Sequence, residues 1–177
     1  MKFEAVEFIA QAIGIVAVAV TFVSYQVKSR GKILFINGIA TLLFAVHYLM
    51  LKAYPASIIN FFGIIRNIVY GFSDRVPLFG KKPVPYLMGA IIVGLGLLSW
   101  TGWESIIITV ALMLNTVFMS LKNPQHLRMS LILTCTMVLV YNVIVMSYGG
   151  ILNEIIAMAS ATIGLVRYRQ KTTMIFG

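Results

Sequence analysis

Apolar residues fill seven stretches of the chain, separated by short polar or glycine-containing breaks. These stretches are 6–27, 33–51, 55–72, 85–100, 105–121, 127–146 and 151–166. A helix that crosses the hydrocarbon core of a bilayer needs about 20 residues, with a range near 17–25. Most of the stretches are long enough, and the fourth is short. The pattern predicts seven transmembrane segments.

The stretches predict helices rather than strands of a barrel. Backbone polar groups find no water in hydrocarbon, so only helices and closed barrels span a membrane. Barrel strands alternate apolar and polar residues, and positions 13–20 do not alternate. The predicted fold class is therefore all-α, a polytopic membrane protein with seven transmembrane helices.

The first stretch is predicted to remain part of the protein. Residues 1–7 hold one lysine and two glutamates, and the apolar run after them is too long for the core of a signal peptide. Few residues lie outside the stretches, so 1–177 is predicted to form a single membrane domain. The one sizeable break, 73–84, joins the first three helices to the rest.

Composition agrees with a membrane environment. Hydrophobic residues make up 60% of the chain and charged residues 11%, where a soluble domain would carry about 25% charged residues. The formal charge of +9 is compatible with nucleic acid or with a membrane surface. The charges stand at the ends of the apolar stretches, which favours the membrane. The single cysteine, Cys135, excludes an internal disulfide and a Cys-based zinc site.

The basic residues predict the orientation. Breaks on one side hold Lys28, Arg30, Lys32, Arg75, Lys81, Lys82, Lys122, Arg128, Arg167, Arg169 and Lys171. The other side holds only Lys2 and Lys52, and Arg66 lies within a stretch. Lys and Arg accumulate in cytoplasmic loops. The split therefore predicts a multi-pass membrane protein with its N-terminus outside and its C-terminus in the cytoplasm.

The chain aligns with itself, without gaps, at a shift of 94 positions. The shift sets Ala17 on Ala111, Lys28 on Lys122, Tyr48 on Asn142, Tyr54 on Tyr148 and Asn60 on Glu154. Pro55-Ala56 falls on Gly149-Gly150, each pair being predicted at a tight external turn. Two parallel three-helix repeats follow, about 6–73 and about 104–168, joined by a linker helix at about 85–100.

This plan of three, one and three helices resembles the SWEET and PQ-loop (MtN3-like) transporters, whose repeats are related by an axis along the membrane normal. The chain lacks the hinge prolines that SWEET-type sugar transporters carry in helices 1, 2, 5 and 6. Those carriers contact substrate through an asparagine pair on helices 3 and 7. The resemblance sets Asn60, and either Asn153 or Glu154, in those places.

The chain resembles the YgjV-type bacterial inner membrane proteins over nearly its whole length. The C-terminal half carries Arg128, Asn142, Ser147, Gly149-Gly150, Glu154 and Arg167 at the spacing typical of that family. The N-terminal half has His47, Leu49, Tyr54-Pro55-Ala56 and Arg66 in similar register. This resemblance implies inner-membrane location and no settled substrate.

The first candidates for a functional site are two charged residues within the stretches, Arg66 and Glu154. A charge inside a membrane costs at least about 2.5 kcal/mol and so marks a functional hypothesis by default. The alternatives are structural: Glu154 at the outer interface near a helix N-terminus, and Arg66 reaching the cytoplasmic headgroups. The repeat also predicts one polar layer at equal depth, made of Tyr48, Asn60, Asn142 and Glu154.

Other polar residues suggest packing. Asn37, Thr41, Phe44 and Tyr48 share one face of helix 2, as interhelical hydrogen bonding or a solute path would require. His47 is interpreted as an interfacial histidine, with a proton relay as the alternative. The sequence holds none of the catalytic or nucleotide motifs such as His-Glu-x-x-His, Gly-x-Ser-x-Gly or a Walker loop, so no enzyme, cofactor or metal is predicted.

Three functions are compared. The first is a small-solute carrier in which one three-helix half rocks against the other, with Tyr48, Asn60, Arg66, Asn142 and Glu154 as candidate binding residues. The second is a non-transporting membrane regulator or assembly partner whose polar layer is structural. The third, an intramembrane enzyme, lacks the motifs. The predicted partners are the lipid bilayer and a small polar solute, with a homo-oligomer left open and no nucleic acid.

Overall fold

The computed structural model describes residues 2–26, 30–73, 75–120 and 124–176, and within them it contains seven α-helices and no strand. In chain order they are α1 (Lys2–Gln26), α2 (Arg30–Met50), α3 (Tyr54–Gly71), α4 (Val84–Leu98), α5 (Glu104–Phe118), α6 (Pro124–Ile144) and α7 (Tyr148–Phe176). The all-α prediction is confirmed. Lys28 and Lys122, which the shift of 94 pairs, lie outside the described residues.

Helix ends depart from the apolar stretches in a consistent way. The helices α2 and α6 begin three residues before their stretches, and α7 continues ten residues past position 166. Hydropathy marks only the part of a helix that faces lipid, whereas the backbone hydrogen bonds that define the helix continue among polar residues. Pro55 and Pro85 stand in the first turns of α3 and α4, where a missing N–H costs nothing.

The α2–α3 and α6–α7 turns have the same geometry. Each contains one non-glycine residue with positive φ, Lys52 at 60° and Met146 at 55°. Past that residue the chain bonds back to the helix, Ala53 N–H to Tyr48 O and Ser147 N–H to Asn142 O, both at 2.9 Å. This is the Schellman ending of a helix. Pro55-Ala56 and Gly149-Gly150 begin the following helices, so the turns lie a few residues earlier than predicted.

The helices pack in a closed ring. Its order is α1, α2, α3, α5, α6 and α7, with α7 returning to α1, while α4 lies against α3 and α5. Exchanging α1, α2 and α3 with α5, α6 and α7 maps every contact of this ring onto another, as a two-fold repeat requires. Equivalent core positions agree: Ala17 and Ala111 are both completely buried.

Burial is inverted relative to a water-soluble protein. Phe8, Phe35 and Leu98 are 76%, 71% and 88% exposed, while His47 and Asn142 are completely buried. A soluble fold would hide such apolar side chains and expose such polar ones. Among the described residues, two segments are long and apolar enough to cross a membrane, Ala5–Ser24 and Tyr148–Val166. An apolar outer surface around a core that includes buried polar side chains suits a lipid environment.

Candidate functional site

A buried hydrogen bond joins the C-terminal turns of α2 and α6. The Tyr48 hydroxyl donates to Asn142 Oδ1 at 2.7 Å, and both side chains are buried. These two residues are the pair that the shift of 94 aligns. The bond joins α2, one of the first three helices, to α6, one of the last three, so it lies where the two sets of three helices meet.

The Asn142 amide is only half satisfied. Its Nδ2 is buried and has no hydrogen-bond partner among the described residues. On the α7 side the amide packs directly on backbone, because a Cβ at Gly150 would stand 2.5 Å from Asn142 Oδ1. Glycine at position 150 therefore leaves room for the amide. A buried donor without an acceptor costs about 1–3 kcal/mol, so this N–H group lowers the stability of the contact.

Glu154 lies inside the bundle and not at its outer rim. The side chain is 9% exposed, and Asn153 Nδ2 donates to its Oε1 at 3.0 Å. The Cys135 thiol of α6 lies beside the carboxylate, and Glu154 is close enough to Tyr48 to interact with it electrostatically. Among the described side chains, no Lys or Arg forms an ion pair with it. Glu154 stands six residues after the start of α7 at Tyr148, and its alternative interpretation, a carboxylate at the outer interface near a helix N-terminus, stays a prediction.

Asn60 is the member of the predicted layer that bonds within its own helix. Its Nδ2 donates to the Ala56 carbonyl at 2.8 Å, one turn earlier in α3, and the side chain is half-buried. The structure thus brings Tyr48 and Asn142 into contact and Glu154 near them. It gives Asn60 no bond to any of the three.

Arg66 occupies a different interface, between α3 and α5. Its Nη1 donates to Thr116 Oγ1 at 3.1 Å, and the Tyr70 hydroxyl donates to the Thr116 carbonyl at 2.7 Å. The guanidinium lies alongside Gly63, because Nη2 would be 3.6 Å from a Cβ there. The side chain therefore folds back along α3, away from the C-terminal end that a snorkelling arginine would approach.

His47 is a central residue of the bundle, which corrects its interpretation as an interfacial histidine. Its ring is completely buried. Nδ1 lies 2.6 Å from the Ala10 carbonyl and Nε2 lies 2.7 Å from Ser147 Oγ. Because a carbonyl only accepts, Nδ1 carries the proton and Nε2 accepts from the serine. Ser147 Oγ also accepts from Gly150 N–H at 3.1 Å, which caps the start of α7.

The same end of the bundle contains the closest helix approach. A Cβ at Gly149 would stand 2.6 Å from the Gly14 carbonyl carbon, so α1 and α7 touch backbone to backbone. Gln11, for which no sequence pattern indicates a role, forms hydrogen bonds to both sides of the α6–α7 turn. Its Nε2 donates to Met146 O at 2.7 Å and its Oε1 accepts from Tyr148 N–H at 3.1 Å. Helix α1 is thereby fastened to the second half.

The polar face of α2 is used for interhelical bonds. Ser24 Oγ of α1 donates to Asn37 Oδ1 at 3.0 Å, and Asn67 Nδ2 of α3 donates to Thr41 Oγ1 at 3.3 Å. Of the two interpretations of this face, the structure supports hydrogen bonding between helices. Only its last polar member, Tyr48, reaches the contact between the halves.

A family model described as bacterial inner membrane protein, YgjV type, matches residues 8–172. The chain belongs to this YgjV family. Membership confirms the resemblance and assigns the chain to a family of the bacterial inner membrane. No curated protein and no solved structure matches the chain, and the SWEET-like plan stays a resemblance.

The chemistry open to this YgjV-family bundle follows from its unsatisfied groups. Among the described residues there is no group of three or more His, Cys, Asp and Glu side chains that could hold a metal. What the contact between the halves offers is one free amide donor, from Asn142, and one carboxylate without a cation, from Glu154.

Proposed function

We propose that the protein crosses the inner membrane seven times, with its N-terminus outside. Seven alternating helices put the α2–α3, α4–α5 and α6–α7 connections at one end of the bundle. That end exposes aromatic residues, Trp100 and Trp103 between α4 and α5 and Tyr54 and Tyr148 after the two matching turns. Tyr and Trp collect at membrane interfaces. The opposite end exposes Lys32, Arg75, Lys81 and Lys82, as a cytoplasmic face does.

We further propose that the bundle carries a small polar solute between its two three-helix halves. One observation carries the proposal: where the halves meet, a buried polar contact is left unsatisfied. The free Asn142 Nδ2 and the unpaired Glu154 carboxylate impose a cost that a purely structural interface would avoid by using apolar residues. A solute with a cationic or hydroxyl donor and an acceptor oxygen would satisfy both groups.

The test compares metabolite uptake and efflux in cells with and without the protein, followed by substitution. Glu154→Gln keeps the shape of the side chain and removes its charge. We expect membrane insertion to be retained and transport of the identified solute to fall at least about tenfold, from the loss of a charge-assisted hydrogen bond. Glu7→Gln is the matched control, because Glu7 is exposed on α1. Unchanged transport in Glu154→Gln would contradict the role of the carboxylate.

A non-transporting role is the second candidate, and a specific observation favours it. Helices α1 and α2 are held to α7 by the backbone contact between Gly14 and Gly149 and by the two hydrogen bonds of His47. A regulator or assembly partner would use such a rigid outer end, whereas a carrier must loosen it in part of its cycle. Identical solute fluxes in cells with and without the protein would favour this candidate.

A further inference from the structure

The guanidinium of Arg66 has one edge in use and one edge free. Nη1 donates to Thr116 Oγ1, whose own hydroxyl proton goes to the Leu112 carbonyl at 2.8 Å. Nε is buried without a partner. Nη2, which shares an edge with Nε, has no hydrogen bond to any described residue, and no carboxylate of the described ranges forms an ion pair with the group.

Residues of three helices surround the guanidinium. Nη2 lies over Gly63 of α3, where an added Cβ would also be 3.2 Å from the Thr41 methyl of α2. On α5, Thr116 accepts the bond from Nη1. Tyr70 and Asn67 lie one turn away on α3, with their polar groups bonded to Thr116 and Thr41. Because Gly63 has no side chain, the guanidinium can lie against the backbone of α3.

We propose that the Nε–Nη2 edge of Arg66 binds an oxyanion, a carboxylate or a phosphate, between α2, α3 and α5. Two parallel N–H groups match the two oxygens of such a group, which is why arginine binds them side-on. The binding neutralises a charge that otherwise has no partner in an apolar bundle. It goes beyond the proposed transport, since it requires no movement of solute.

Two sources could supply the oxyanion. Arg66 stands five residues before the end of α3 at Gly71, about 7.5 Å along the helix axis. The guanidinium itself lies deeper, beside Gly63, so a lipid phosphate would have to enter between the helices, as would a soluble anion coming from the same end. Both present the same chemistry to the guanidinium, so the experiment must separate them.

The test measures the melting temperature of the purified full-length protein in dodecyl maltoside, a detergent without phosphate. Inorganic phosphate and acetate are added in one arm, against sodium chloride at equal ionic strength. In the other arm the micelles receive dioleoylphosphatidylglycerol, against dioleoylglycerol, which lacks the phosphate. We expect a rise on the order of 5 °C when the effective oxyanion is about 100-fold above its Kd. A response to phosphate or acetate identifies a soluble anion, and a response to the lipid alone identifies a headgroup.

Substitutions decide whether Arg66 is responsible. Arg66→Gln should lose the rise, and Arg66→Lys, which keeps the charge without the fork, should bind at least about tenfold more weakly. Arg128→Gln is the matched control, because Nη1 of Arg128 bonds to the Gly164 carbonyl, and it should keep the rise. If Arg66→Gln does not fold, Arg66→Lys alone decides. The proposal is overturned if no oxyanion raises the melting temperature above its control, or if the Arg66 variant that folds responds as the unmodified protein does.

Discussion

His47 joins three helices through a single imidazole. It bonds to a carbonyl of α1 and to the serine that caps α7, while its own backbone belongs to α2. A neutral ring can make two hydrogen bonds, one as donor and one as acceptor, and this ring makes both. One of the two partners is a backbone carbonyl, which does not pass a proton on, so these contacts are those of a structural bridge.

We expect His47→Ala to lower the free energy of unfolding by about 2 kcal/mol, because it removes two buried hydrogen bonds and leaves a cavity. His126 supplies the control, since its side chain is exposed on α6, and His126→Ala should change stability by less than about 0.5 kcal/mol. Unfolding in mixed micelles of dodecyl maltoside and sodium dodecyl sulfate measures both. Equal stability of the two variants would be at odds with a bridging role.

For single residues, the sequence could predict a contact between two positions that the repeat aligns. It could not predict contacts between unaligned positions of the two halves. Tyr48 and Asn142 are 94 positions apart, so the shift alone predicts that they lie at equal depth in the bundle. An axis between the two repeats would then predict their contact. The partners of His47 are a backbone carbonyl and a serine in the other half. No periodicity encodes such a contact, because it depends on how closely α1 approaches α7.

That approach is set by glycine, and it gives a test of helix packing. Gly149→Ala would drive a methyl group into the backbone of α1. We expect a loss of about 2 kcal/mol from overpacking. Gly94→Ala is the matched change in α4, where nothing lies within 4 Å of the added carbon, and it should stabilise the protein by up to about 1 kcal/mol.

The same unfolding titration measures both glycine variants, and opposite signs are the expected result. Destabilisation of equal size at both positions would mean that helix backbone entropy, and not the α1–α7 contact, controls the effect.

The two matching turns offer a second test among the elements. Lys52 and Met146 both hold a left-handed backbone that costs a non-glycine residue energy. Lys52→Gly and Met146→Gly should each raise the free energy of unfolding by about 0.5–1 kcal/mol. The two gains should be similar, since the turns are alike in bonding. A gain at only one position would argue against equivalent turns.

Element boundaries show what the apolar pattern can and cannot predict. The seven helices and the connection between α3 and α4 follow from the apolar stretches and their breaks. The early starts of α2 and α6 and the long end of α7 do not, because polar helical turns carry no hydropathy signal. The left-handed residues were also missed, as lysine and methionine are not typical of that conformation.

For the whole molecule, the orientation can be tested directly. Reporter fusions after Lys32, after Tyr54, after Lys82 and at the C-terminus should report inside, outside, inside and inside, because the basic residues accumulate at one end of the bundle. Alkaline phosphatase and green fluorescent protein fusions, active on opposite sides of the inner membrane, measure this. A cytoplasmic signal from the fusion after Tyr54 would rule out the proposed topology.

The bond between Tyr48 and Asn142 also distinguishes two kinds of movement between the halves. Twisting one half about an axis through this bond would leave the distance between Tyr48 and Asn142 unchanged. Residues far from that axis would move the most. Tilting one half away from the other would instead separate the two residues and expose the side-chain amide of Asn142 to water. Spin labels or fluorophores can be attached at Tyr54 and Tyr148, whose exposed side chains lie beside the matching turns. The distance between the two labels would change in either case. Only the distance between Tyr48 and Asn142 distinguishes a bundle whose halves twist from one whose halves tilt apart.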